Sequence, residues 1–436
     1  MTPDTAPVEA PQRWYALRAG LRRNGYPFTA RLVTAAVGLI QLLALVRFLS
    51  TDEYAAVVIA VNVGGYVLLL AEPAMYGYER LGNHVRALDS QPGDARSAAT
   101  SLVLAVSCII ALGTFLWGLL TGNLSLAAGT ALWLASLIQL RWVTVQWLNW
   151  GERHRFATVL VVNTVARTVL LTMAAYATGS AAVALAAGGL GSLLATTLVS
   201  PGLPPLTRSR TGLTRVLAVG LPISVTAAAG VSMITWPVLA ASRTLSTDSF
   251  SAFSAQWTLA GATAGLTVGF VLAFGFPVVK RAWDSGQSTV AMAVTRRYIW
   301  YVIVCGLALT ATFAATGEWV TALVLGLEYA GWAVPTATTA TYAVSSLAGL
   351  TAWRLRLQFR QRSLSVIYVL WAAAQFALIL WSSDTFGLPG ILIGAALVQW
   401  GLTVTCALVS RERTAVLGLV GATILTGAAV ITSLAA

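Results

Sequence analysis

A stretch of about twenty apolar residues with almost no charge has one stable environment, the hydrocarbon core of a bilayer, which a helix of that length just crosses. Such stretches recur along all 436 residues of this chain. Six are expected at about 28–49, 55–77, 98–120, 125–149, 156–177 and 180–200. Six more follow at about 215–242, 251–278, 297–317, 333–353, 364–382 and 387–409, and a thirteenth at about 414–435. Charged residues make up 10% of the chain and hydrophobic ones 57%, far from the balance of a water-soluble domain. No segments of roughly ten residues alternate apolar with polar side chains, which argues against an outer-membrane barrel. The expected fold is an all-α polytopic membrane protein.

An internal repeat divides these spans. RFLSTDEYAAV (Arg47 to Val57) returns as RTLSTDSFSAF (Arg243 to Phe253), 196 residues later. Each copy follows one long apolar span and precedes the next, and a proline (Pro73, Pro277) and basic residues (Arg80; Lys280 and Arg281) come after it. A period this long marks two copies of a multi-helix unit, not a solenoid of short repeats. The expected architecture is two six-helix lobes in parallel repeat around a central cavity, at 28–200 and 215–410. A cytoplasmic tail (1–27), a cytoplasmic linker (201–214) and an extra C-terminal helix (411–436) complete the chain. Arg47 with Asp52, and Arg243 with Asp248, form matching charges at the interface; snorkelling and capping of the next helix account for them.

The net charge of +12 is a topology signal. All but four of the 27 basic residues fall in alternate connections, which sets the N-terminus in the cytoplasm of a plasma (inner) membrane. Anionic lipid head groups are the natural partner of such charge, and nucleic acid is not implied. Arg13, Arg18, Arg22 and Arg23 precede the first span without a small-residue cleavage site, so no cleavable signal is expected. Cys108, Cys305 and Cys406 all fall in apolar spans and read as buried, unpaired thiols.

Two of the four remaining basic residues, Arg141 and Arg167, fall inside spans four and five. Each lies about 15–18 Å from the inner surface at 1.5 Å per residue, near mid-bilayer. Charge at that depth is costly unless it faces water, a counter-ion or a ligand. Gln139 and Trp142 flank Arg141; Asn163 lies four residues before Arg167, on the same helix face. These residues are the candidate anion site. The matching helices ten and eleven carry Gly349 and Gln375, so the charge belongs to one lobe. Glu72, before Pro73, is the acidic residue within a span and a candidate coupling group or counter-ion; pairing of Arg141 or Arg167 with Glu72, Gln41 or backbone carbonyls would instead lock helices together.

Catalysis finds no support. No paired carboxylates, metal-ligand cluster or nucleophile–base set is present, and His84 and His154 both fall on the cytoplasmic side. No GxxxxGK[ST] loop appears, so ATP is not the direct driver. Most of the 16 tryptophans, such as Trp150 and Trp381, fit an interfacial belt.

RFLSTDEYAAV, the LLLAEPAMYGYER behind it, VGLPISV, RTLSTDSFSAF, FGFPVVKR and LGLEYAGWAVP together resemble the polysaccharide-export, O-antigen flippase-like branch of the multidrug/oligosaccharidyl-lipid/polysaccharide exporter superfamily. The resemblance implies a polyprenyl-diphosphate-linked oligosaccharide carried from the inner to the outer leaflet by alternating access. It also implies polysaccharide-assembly enzymes as partners, no cofactor, and proton or sodium coupling as the candidate energy source. Depth in the membrane then makes Arg141 and Arg167 the diphosphate contacts. The alternatives are an ion-coupled drug exporter of the same superfamily and, less well supported, a membrane-embedded polymerase or ligase.

Overall fold

A computed structural model describes residues 10–88, 92–200, 202, 210–358, 360–411 and 413–435. Among them every element is helical. The first lobe contains α1 (Ala10–Phe48), α2 (Thr51–Leu68), α3 (Glu72–Leu88), α4 (Pro92–Thr121), α5 (Leu124–Asn149), α6 (Arg153–Thr178) and α7 (Ala181–Leu198). The second contains α8 (Arg210–Thr244), α9 (Thr247–Thr267), α10 (Gly269–Asp284), α11 (Ser288–Leu325), α12 (Ala333–Thr351), α13 (Trp353–Leu357) and α14 (Gln361–Ser410). α15 (Arg413–Ser433) closes the chain against α11, α12 and α14. Most of the expected linker, and residues 1–9 of the expected tail, lie outside the described residues. Residues 10–27 of the expected tail are helical and continue α1, in keeping with a segment rich in Ala, Leu and Arg.

Nine of the described helices are long and apolar enough to cross a membrane, and α2 with the first part of α3 (Glu72–Leu81), bent by 48°, passes the same test as a pair, a tenth span if the two cross together. α14 joins expected spans eleven and twelve across Gly387, whose φ of 61° reverses the chain where a Cβ would be strained. α12 falls short on hydropathy because it never meets lipid. It packs among α9, α11, α14 and α15, and its hydroxyls bond back to its own carbonyls, as Thr338 does to Val334 (2.7 Å) and Thr341 to Ala337 (2.8 Å). The bundle perimeter is apolar where lipid would lie, with Leu120, Leu198 and Trp381 exposed. Cys406 is buried as expected, but Cys108 is exposed on that perimeter; all three thiols are free.

The repeat is a helix–turn–helix device, and its two copies fold alike. Arg47 and Arg243 end α1 and α8, where a cation complements the helix dipole. Ser50 and Ser246 cap the next helices, accepting from Glu53 N (3.3 Å) and Ser249 N (3.4 Å). The cap is thus the serine. Asp52 and Asp248 sit in the first turn, exposed, and form no ion pair with Arg47 or Arg243. The copies meet where Ser251 Oγ donates to Thr51 O (2.9 Å). Glu53 also reaches across to α7, where it accepts from Ala181 N and caps a helix whose own Ser180 does not. In the first copy the second span is bent by 48° between α2 and α3, whereas in the second α9 and α10 are separated by the single residue Val268.

The most extensive contact between the lobes is α3 against α8. Two glycines permit it. A Cβ on Gly77 would lie 2.1 Å from Val216 O, and one on Gly220 would lie 1.9 Å from Pro73 O. The two backbones touch, as small residues allow in helix packing within membranes.

Candidate functional site

The break in the second span also makes the site. Glu72 and Pro73 open α3, where proline is tolerated in the first turn and a carboxylate complements the helix dipole. The residues that end one half-helix therefore hold an acid inside the membrane-spanning region. Glu72 is buried, and its Oε1 meets Arg141 Nε of α5 at 3.4 Å. Glu79, two turns further along α3 and so on the same face, lies 4.0 Å from Arg141 Nη2. The Tyr76 ring lies between them, 5.4 Å from the guanidinium carbon. One arginine thus faces two carboxylates. Its charge is compensated within the lobe, and Glu72 Oε2 is left without a protein partner.

Arg167 is a different case. Its guanidinium stacks over Trp133 of α5 at 5.1 Å, no carboxylate lies within ion-pair distance among the described residues, and its Nε finds no protein partner. Thr168 beside it donates to Gln41 Oε1 of α1 (3.3 Å). Asn163 does not join it. Its amide is buried and donates to Ser192 O (2.9 Å), Ser192 Oγ and Thr196 Oγ1 (2.7 Å each), tying α6 to α7. Trp142, expected beside a ligand, is buried against Tyr78 with ring centroids 5.3 Å apart. Gln139 is half-buried with its Oε1 unpartnered. The structure thus gathers Glu72 and Arg141, adds Glu79 and Tyr76, and turns Asn163 and Trp142 to packing. Glu79 could have been found from its spacing of seven to Glu72, which repeats a helix face.

A cavity of about 760 Å³ lies between the lobes toward their arginine-rich end. The first lobe contributes Tyr76 and Arg80 of α3; the second contributes α8, α10 and the α13–α14 corner. Tyr76 therefore belongs both to the cavity wall and to the charge cluster behind it. Among the described residues, no group of three or more His, Cys, Asp or Glu side chains is placed to hold a metal ion.

No protein-family model matches this chain, and no curated protein does. Solved structures do. An inward-facing multidrug resistance MATE family transporter of the MOP superfamily superposes with a TM-score of 0.70 at 16% identity, covering 91% of this chain and 98% of that one. An outward-facing structure of such a transporter gives 0.65 at 15% identity, with 91% and 96% covered. A MATE protein in complex with MaL6 gives 0.68 at 15% identity, with 91% and 97% covered. Likeness at this identity speaks for architecture: this chain has the polytopic, two-lobed fold of the MATE transporters of the MOP superfamily.

Proposed function

We propose that this protein is an exporter that works by alternating access of its two lobes, with the Glu72–Arg141–Glu79 cluster coupling them to a proton or sodium gradient. One observation carries the reading: Glu72 is buried against Arg141 within one lobe, on the half-helix that also forms the seam with the other lobe. Buried intramembrane charge is expensive and marks ion or substrate pathways. Neutralising Glu72 would loosen α3 from α5, and α3 is what α8 rests on. No cofactor enters this scheme.

Two passenger classes divide the reading. The structural relatives favour a small molecule, since they are MATE transporters and two are described as multidrug resistance proteins. The compensation of Arg141 by two carboxylates leans the same way, because a paired arginine is a weaker anion trap than a free one. The lipid-linked oligosaccharide reading draws on the sequence resemblance and on Arg167, whose guanidinium has no carboxylate partner. A diphosphate head group would gain bidentate contacts there, and an inside-negative potential would favour its outward movement by about 2.3 kcal/mol per charge per 100 mV. The arginine distribution supports an N-terminus in the cytoplasm and a plasma-membrane location.

Reconstitution separates these readings. In proteoliposomes with an imposed proton or sodium gradient, a cationic fluorescent drug should be moved by the wild type and not by Glu72→Gln. Movement of a polyprenyl-diphosphate oligosaccharide, with the drug left in place, would shift the assignment to the flippase reading. Movement of neither would end the export reading.

A further inference from the structure

Glu72 poses a problem of access. Its Oε1 meets Arg141, whereas its Oε2 is buried without a protein partner. An ion that couples the lobes has to reach that second oxygen. The neighbouring charges are less enclosed: Arg141 and Glu79 keep 30% and 33% of their side-chain surface accessible, against 10% for Glu72. Arg31 of α1 is a further charge near enough for Arg141 to feel. Whatever closes Oε2 is therefore local, and helix geometry names the candidate. Side chains on a helix lean toward its N-terminus, so Tyr76, four residues on, leans toward the turn that holds Glu72.

Three residues of the first lobe line the interlobe cavity: Tyr76, Arg80 and Leu81. Among the described residues, Tyr76 is the one of the three that also touches the cluster, through the Arg141 guanidinium 5.4 Å from its ring. That stacking holds the ring in place but is a modest interaction. The helix beneath it has no slack. A Cβ on Gly77, the next residue, would lie 2.1 Å from Val216 O, so α3 is held hard against α8. With α8 on one side and Arg141 on another, the open direction for the ring is the cavity of about 760 Å³ that it lines. A change of rotamer moves it there while the backbone stays still.

We infer that Tyr76 is a positioning residue that gates Glu72: stacked on Arg141, its ring seals Oε2 from the cavity; swung into the cavity, it admits water and the coupling ion. A passenger lodged in the cavity blocks that swing. Ion and passenger then load by turns, each excluding the other, without sharing a contact. This alternation rests on the export reading, whereas the seal over Oε2 does not.

The test is labelling of Glu72 by a water-soluble carbodiimide in the full chain in neutral detergent, followed by peptide mass spectrometry, after Cys108, Cys305 and Cys406 are replaced by Ser or Ala. Tyr76→Ala should raise the Glu72 labelling rate at least about tenfold, the effect of removing a barrier of about 1.4 kcal/mol. Tyr76→Phe keeps the ring and should stay within about twofold of the parent, and Glu79 should change less than about twofold in both variants. Ala227 lies on the cavity wall. When Ala227→Cys is added to Tyr76→Ala, a bulky maleimide on that thiol should bring the Glu72 rate back toward the parent's. A Tyr76→Ala rate equal to the parent's overturns the gate, and a rise in Tyr76→Phe overturns the seal by the ring. An equal rise at Glu79 would mean a loosened α3, and a rise that the maleimide leaves unchanged would mean entry from elsewhere; either overturns the gate. The predicted labelling without gradient-driven flux spares the gate and ends the export reading; flux without that labelling pattern does the reverse.

Discussion

The two lobes share a scaffold and differ in charge. In the first, Glu72, Glu79 and Arg141 meet between α3 and α5, and Arg167 is stacked on Trp133 nearby in the same bundle. In the second, Gly349 stands in α12, and the buried Gln375 of α14 donates to Met233 O (2.9 Å), a neutral contact between helices. α3 opens with Glu72–Pro73 after a 48° bend, whereas α10 opens with Gly269 one residue after α9. The repeat supplies the capped turn twice and the charge once. On the neutral side α15 adds a further layer of packing.

That contrast can be broken by mutation, beginning where the effect should be greatest. Arg141→Ala leaves the buried Glu72 and the partly exposed Glu79 without their arginine and should cost up to about 3–5 kcal/mol, seen as a large loss of thermal stability in detergent. Adding Glu72→Gln to it should recover part of that loss. If Arg141→Ala proves no worse than Gln375→Leu in the other lobe, where one neutral hydrogen bond of about 1 kcal/mol is at stake, the lobes do not differ as described. Next in size, Asn163→Leu removes three contacts between α6 and α7 and should cost about 1–3 kcal/mol while leaving passenger preference unchanged. A changed preference would return Asn163 to the binding site. The smallest effect sharpens the symmetry: Ser50→Ala and Ser246→Ala should each cost about 1 kcal/mol, equally, because both remove the same cap. A cost confined to one copy would show that the repeat keeps its shape without sharing its energetics.

Much of this was legible in the residues. Each of the thirteen expected stretches is helical, although nine helices, or ten spans with the bent α2–α3 pair, are long and apolar enough to cross a membrane among the described residues, and the repeated RxLSTD placed matching turns 196 residues apart. The sequence also offered Glu72 as counter-ion to Arg141. Helix periodicity could not say that Asn163 faces α7, because four-residue spacing leaves a face about 40° wide of its neighbour's and α6 has partners on several sides. The packing of Trp142 on Tyr78 depends on α3 running beside α5, a long-range contact that no local pattern encodes. The interlobe cavity was hidden for a like reason. Arg80, Arg356 and Arg360 read as ordinary positive loops until the α3–α8 seam brings two of those loops around one space.

The most direct test of a charge-driven, two-lobed exporter is the distance between the lobes at their arginine-rich ends. Spin labels at His154→Cys and Gln358→Cys, both on exposed residues, can report it after Cys108, Cys305 and Cys406 are replaced by Ser or Ala. The account predicts two distances whose populations shift when proton or sodium concentration is raised, and a single fixed population in Glu72→Gln. A shift of the same size in Glu72→Gln as in the parent protein would contradict it.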